Sequence, residues 1–156
     1  MAHRKEIWID TNIIIYVLRT NKDYSAQSRQ LVTEAAQGNL VLKVSPLVIS
    51  ECVIVLMGQQ FRETRDTIKS LLISFINLKG VECEEKAVVE EALIQFAKQR
   101  IDFVDAYLAA HAKAVTPAHI VTMNVKDFLQ LAVTVETPVQ TLSQSTPPPL
   151  ASSDRQ

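Results

Sequence analysis

The sequence predicts an α/β layer fold with a largely parallel sheet. Short apolar runs of strand length alternate with longer segments of helical period along the chain. Strands fed one at a time through helices become parallel neighbours, with the helices covering the sheet. The 156 residues suffice for a single domain with a real core.

The elements follow in order. Glu6–Ile9 reads as a short buried strand. Asp10-Thr11-Asn12 is a helix-start signal before the apolar run Ile13–Leu18, so Thr11–Arg19 reads as a buried helix. Tyr24–Gln37 is a second helix, stopped by Gly38-Asn39. Leu40–Val44 is a strand. Ser45 is a cap and Pro46 suits the first helical position, opening a helix that runs to Met57 and stops at Gly58. Arg62–Ile76 is amphipathic, with Ile68, Leu71, Leu72 and Phe75 on one face. Val81–Cys83 is a strand, and Glu85–Arg100 a helix with Val88, Val89, Ala92, Leu93, Phe96 and Ala97 on one stripe. Asp102 caps an alanine-rich helix over Phe103–Val115. His119–Thr122 is a strand, Val125–Leu131 a short helix and Val133–Glu136 the last strand. The domain is therefore assigned to residues 1–137. Residues 138–156, rich in Pro, Ser, Thr and Gln, read as a mobile tail.

Composition excludes several classes. No apolar run reaches the roughly 18–20 residues of a membrane span. The basic start is followed by a stretch containing Asp10, which makes a poor signal peptide, so a cytoplasmic location is expected. Cys52 and Cys83 read as buried thiols. The net charge of −1 does not announce a nucleic-acid binder, but its distribution is uneven. Residues 1–79 hold 10 Lys/Arg against 7 Asp/Glu, and residues 80–156 hold 6 against 10. If acids gather at one site, the remaining surface of the first half is more basic than the count suggests. Arg19, Lys43, Arg62 and Arg65 are then candidate phosphate contacts, with Lys22, Arg29 and Lys69 as weaker ones.

Four acids stand in apolar settings. Asp10 follows Ile7-Trp8-Ile9, Glu51 lies between Leu47–Ser50 and Cys52–Leu56, Asp105 lies within Phe103–Ala110, and Asp127 precedes Phe128-Leu129. A buried carboxylate is usually paired, hydrogen-bonded or bound to a cation. Four such acids together suggest a hard divalent ion with oxygen ligands. In an open α/β sheet, ligands bind beyond the carboxyl ends of the strands, where Asp10 and Asp127 are placed. Each acid also has a plainer role. Asp10 and Asp127 suit helix starts, and Asp102-x-x-Asp105 resembles a capping box. The three histidines lack zinc spacing, and no P-loop, dinucleotide fingerprint or serine elbow occurs.

Four segments, in order, resemble the PIN-domain family, and within it the VapC-type toxin ribonucleases. They are Ile9-Asp10-Thr11-Asn12, Ser45–Glu51, Asp102–Ala112 and Val121–Phe128. The resemblance covers about residues 5–137. It implies an α/β/α sandwich and an endoribonuclease dependent on Mg²⁺ or Mn²⁺ that cleaves single-stranded or loop RNA. Asp10, Glu51 and Asp105 fall on the family's three core metal-binding acids. At the variable fourth position Asn124 stands where many members carry Asp, and Asp127 follows as the other candidate. Asn12 and Thr122 fall on supporting polar positions, as do Asn124 and Asp102. The resemblance further implies a homodimer and a small antitoxin as partner. Surplus apolar residues at Thr11–Leu18 and Glu63–Phe75 also suggest self-association. The alternative is a catalytically silent PIN-like module that binds RNA or serves as a scaffold. A metal-dependent phosphatase or a receiver-like domain would also place acids at strand ends; a receiver would need an early acid pair and a phosphorylatable Asp at a mid-chain strand end, and neither is found.

Overall fold

The computed structural model describes residues 4–145. In chain order the elements are β1 (Lys5–Trp8), α1 (Thr11–Leu18), α2 (Ser25–Gln37), β2 (Leu40–Val44), α3 (Pro46–Met57), α4 (Arg65–Ile76), β3 (Val81–Cys83), α5 (Lys86–Gln99), α6 (Phe103–Val115), β4 (His119–Val121), α7 (Val125–Phe128), β5 (Thr134–Glu136) and α8 (Pro138–Ser145). All strand pairings are parallel, as the alternation of strands and helices predicts. The strands form two sheets, one ordered β1-β2-β3 and the other β4-β5. Ile7 pairs with Leu42 and Leu42 with Val81, while Ile120 pairs with Val135.

The core fills the space between the first sheet and its helices. Leu42 and Val44 of β2 are fully buried, with Ile14 of α1, Ile49 and Leu56 of α3, Leu72 and Phe75 of α4, and Leu93 and Phe96 of α5. Helices α5 and α6 pack closely because small residues meet there: Ala92 on one side, Ala106, Ala109 and Ala110 on the other.

Local chemistry sets the boundaries. Asp10 caps α1, accepting the Thr11 N–H at 2.7 Å, and Ser45 caps α3, accepting from Leu47 with Pro46 in the first turn. The helix expected from Arg62 begins at Arg65 instead. Thr64 takes the cap position, its hydroxyl accepting from Thr67, and Arg62 adopts φ +50° in the preceding turn. Four other expectations are corrected. β1 is not buried: it is an edge strand hydrogen-bonded to β2 alone, and Trp8 is 56% exposed. Asp102 occupies the cap position of α6, but its side chain makes no capping bond. The segment assigned to the tail is helical over Pro138–Ser145, because Pro138 suits a first turn and no proline follows until Pro147. Residues 146–156, and with them the rest of the expected mobile tail, lie outside the described residues. The apolar residues of α1 and α4 thought surplus are largely core: Ile14, Ile15, Ile68, Leu72, Phe75 and Ile76. No helix among the described residues is long and apolar enough to cross a membrane.

The turn into β3 passes against α2. Gly80 has φ +86°, and a Cβ there would stand 2.3 Å from the carbonyl oxygen of Ala35. Gly80→Ala is therefore expected to destabilise the fold by on the order of 3 kcal/mol, combining left-handed strain with overpacking. Urea denaturation measures this, and an unchanged midpoint would contradict the close approach.

Candidate metal and nucleic-acid site

The acids fall into two pairs on either side of α3, which packs against α1 and against α6. The first pair joins Asp10, just past β1, to Glu51, midway along α3. Thr11 connects them. This buried residue gives its N–H to Asp10 Oδ1 at 2.7 Å and its hydroxyl to Glu51 Oε2 at 2.8 Å. Asp10 Oδ2 and Glu51 Oε1 accept no hydrogen bond among the described residues. Neither acid is buried: α3 turns its Ile49, Cys52, Val53 and Leu56 inward and leaves Glu51 on the cleft wall. The expectation of an acid sunk in the core is corrected to that extent. The nearby Cys52 thiol is pushed up to about 12 by burial, with Glu51 and Asp10 adding to the effect. It is an inert core thiol. Cys83 is half-buried rather than buried, and its thiol is pushed up to about 11, chiefly by burial.

The second pair is Asp105, in the first turn of α6, and Asp127 of α7. Asp105 is half-buried and its carboxylate accepts no hydrogen bond among the described residues. Its pKa is raised first by burial, then by the charges of Asp102 and Asp127. Asp102 and Asp105 line a cleft against Ser50, Val53 and Met57 of α3. Asp127 is held by Asn124, whose amide nitrogen donates to Asp127 Oδ2 at 2.7 Å. Thr122 in turn accepts the Asn124 N–H at 2.9 Å. Asn124 therefore steadies Asp127 rather than competing with it for the site.

Among the described residues, no three of His, Cys, Asp and Glu stand close enough to one another to hold a metal ion. The single four-acid nest expected from the sequence is thus two adjacent pairs. Like charges oppose closer gathering. The donors nevertheless suit a hard divalent ion. All are oxygens, each pair keeps oxygens without partners, and Asp105 is a half-buried carboxylate with nothing to offset its charge.

The cations expected to meet phosphate are mostly engaged. Arg19 binds Glu63 through Nε at 2.7 Å and the Leu18 carbonyl through Nη1 at 2.9 Å. Lys43 pairs with Glu82 at 2.8 Å and lies 5.9 Å from the Trp8 ring centre. Arg65 is structural: its Nη1 donates to the carbonyls of Phe96 and Ile101 at 2.9 and 2.5 Å, with the guanidinium 4.4 Å from the Phe96 ring centre. It closes the turn from α5 that delivers Asp102 and Asp105. Of the four, only Arg62 has a side chain without a hydrogen-bond or ion-pair partner among the described residues; its N–H donates to the Gly58 carbonyl. Asn12 lines the Asp10–Glu51 cleft, exposed.

Two positioning residues escape a sequence reading. Thr11 is absorbed into the helix-start signal, and its bond to Glu51 spans forty residues. Arg65 looks like any surface cation of an amphipathic helix.

The sequence model of the PIN domain matches residues 7–132. The chain belongs to the PIN-domain family. PIN domains are typically nucleases and usually act with divalent metal ions, which fits the oxygen-rich cleft of this member. No curated protein matches the chain.

The Asp105 shift has a consequence for stability. Its folded-state pKa lies above the ordinary 3.8, so the folded protein holds this proton more tightly than the unfolded chain does. That contribution is present at low pH and is lost as pH rises from 3.8 through the folded value. In EDTA, Asp105→Asn is expected to be more stable than wild type at pH 7. The advantage should vanish in acid, below the ordinary aspartate pKa. Thermal melts across pH measure this, and a variant less stable than wild type at pH 7 would contradict the unpaired carboxylate.

Proposed function

We propose that this PIN domain is an endoribonuclease dependent on Mg²⁺ or Mn²⁺ that cleaves single-stranded or loop RNA, and that it is the toxin of a VapC-type toxin–antitoxin pair. The observation that carries the reading is the pairing of Asp10 with Glu51 and of Asp105 with Asp127 on two sides of one helix, with carboxylate oxygens left free in both pairs. In this reading Asp10 and Asp105 would hold the ion, reached through water where the side chains stand apart, with Glu51 and Asp127 adding charge beside them. A divalent ion there would supply positive charge opposite the phosphate and would make a nucleophile of water at neutral pH. Thr11 fixes the orientation of Asp10 and Glu51 through one buried residue. Thr122 and Asn124 fix Asp127, and Arg65 fixes the start of α6. Hydrolysis joins a water oxygen to phosphorus, breaks one P–O bond of the backbone and leaves a proton on the departing oxygen.

The separation of the acids into pairs favours a second reading, a silent RNA-binding or scaffold module. Metal-dependent turnover distinguishes the two. Homodimerisation, capture by a small antitoxin and a cytoplasmic location belong to the first reading. Leu47, Ile54 and Met57 of α3 and Val104 and Leu108 of α6 are exposed apolar residues open to a second copy.

Purified protein is expected to cut RNA in Mn²⁺ or Mg²⁺ and not in EDTA. Asp10→Asn and Asp105→Asn should each reduce the rate by at least about 100-fold, more than the loss usual for a supporting residue. Mn²⁺ should raise the melting temperature of wild type and much less that of Asp10→Asn. Full activity in either variant overturns the assignment.

The second pair yields a graded expectation. Asp127→Ala should slow cleavage about ten-fold, and Asn124→Ala less than that, since the amide acts through Asp127. Asn124→Asp should stay active. Rates measured at saturating Mn²⁺ decide it. Inactivation by Asn124→Ala with no effect of Asp127→Ala would reverse the two roles.

A further inference from the structure

Asp10 and Glu51 line a cavity of about 360 Å³ between α1, α3 and the loop after Met57. The rest of its lining differs in character. Tyr16 and Phe61 present aromatic rings, and Asn12, Asn21 and Gln60 present amides. Tyr16 is held in place: its ring packs on Tyr24 with centroids 5.1 Å apart, and its carbonyl accepts the Ser25 hydroxyl at 2.6 Å. Phe61 is half-buried against the core. The side chains of Asn12 and Gln60 are exposed and make no hydrogen bond among the described residues. Asn21 uses its oxygen on the N–H groups of Asp23 and Tyr24, leaving its amide nitrogen free.

The electrostatics decide what such a cavity takes. Its one cation, Arg19, is already bound to Glu63 and to a backbone carbonyl, while Asp10 and Glu51 are anionic. An anion is therefore disfavoured there. An uncharged planar heterocycle suits it: aromatic faces for stacking, amides that both donate and accept, and a volume within the roughly 300–1,000 Å³ of small-ligand clefts. Single-stranded RNA is recognised in this way, by stacking splayed bases on aromatic rings and bonding their edges.

We propose that this cavity is a base-recognition pocket, which takes the nucleobase beside the phosphate cleaved at the acids, against Tyr16 and Phe61, with Gln60 and the Asn21 amide reading its edge. The proposal rests on the nuclease reading for the word "cleaved", but not for the binding of the base. The pocket makes the enzyme selective for the base at one position flanking the cut.

Two measurements on the full chain test it. In the first, a random RNA pool is cleaved in Mn²⁺ and the product ends are sequenced. Wild type is expected to show a base bias at one flanking position. Gln60→Ala and Phe61→Leu should flatten that bias, while the requirement for Mn²⁺ is retained. In the second, adenosine, guanosine, cytidine and uridine are titrated in EDTA while the tyrosine ring resonances are followed by NMR. One or two nucleosides should shift Tyr16 saturably, and Phe61→Leu should weaken that binding about ten-fold. Gln60 is exposed, so its variant keeps the test open even if Phe61→Leu is unstable. Saturable nucleoside binding without RNA cleavage would uphold the pocket and sink the nuclease reading. Cleavage with equal base frequencies and no shift of Tyr16 by any nucleoside would overturn the pocket and leave the nuclease reading standing. The pocket is equally overturned if the cavity takes a protein segment instead, seen as Tyr16 shifts with a peptide and none with nucleosides.

Discussion

Thr11 is the residue on which the first acid pair depends. It is buried, and it donates twice, through its N–H to Asp10 and its hydroxyl to Glu51. Two carboxylates near each other repel, and Thr11 supplies each of them with a hydrogen-bond donor. A single residue that serves both also links the start of α1 to the middle of α3. The parallel pairing of β1 with β2 sends both chains out at the same end of the sheet, one into α1 and the other through Ser45 into α3. The sheet makes the meeting of Asp10 and Glu51 possible, and Thr11 makes it specific.

The second pair is positioned by other means. Asp105 does not follow a strand. It depends on the α5–α6 turn, which passes through Arg100 at φ +57° and the buried Ile101. Arg65, reaching from α4, donates to two carbonyls at that turn and stacks on Phe96. Hydrogen bonds from a charged donor are stronger than neutral ones, so a cation that looks like a surface residue holds a buried junction. Opposite it, Asn124 and Thr122 hold Asp127 by a chain of two bonds. The acids are thus fixed by hydroxyl, amide and guanidinium neighbours, and Asp105 alone is left without a partner of its own.

Much of the fold was legible because it depends on local rules. Asp10, Ser45, Gly38 and Gly58 mark helix ends wherever the chain is placed, and apolar periodicity marks α5 and α6. What was not legible depends on partners distant in sequence. The exposure of β1 follows from its place at a sheet edge, which no run of apolar residues reveals. The helix at Pro138–Ser145 was obscured by the prolines beyond it. At the site, the four acids were legible as a set, and their division into two pairs was not, since residue spacing says nothing about which side of α3 each acid takes. Thr11 and Arg65 escape a sequence reading for the same reason: the decisive bond of Thr11 spans 40 residues and those of Arg65 span 31 and 36.

The engaged cations bear on how this PIN domain holds a nucleic acid. Affinity from phosphate contacts grows with the number of lysines and arginines that release counterions. Arg19, Lys43 and Arg65 are committed to Glu63, Glu82 and backbone carbonyls, so the first half's positive charge overstates what phosphate can use. The acid pairs then add repulsion toward an RNA backbone. On the reading proposed above, a divalent ion offsets that repulsion locally, and stacking on Tyr16 and Phe61 contributes binding that carries no charge. The amides of Gln60 and Asn21 at the base edge then distinguish one base from another, which neither stacking nor phosphate contacts do by themselves. On that reading, the commitment of Arg19, Lys43 and Arg65 elsewhere and a cleft lined by aromatic and amide groups favour selection of a site over binding by phosphate contacts alone.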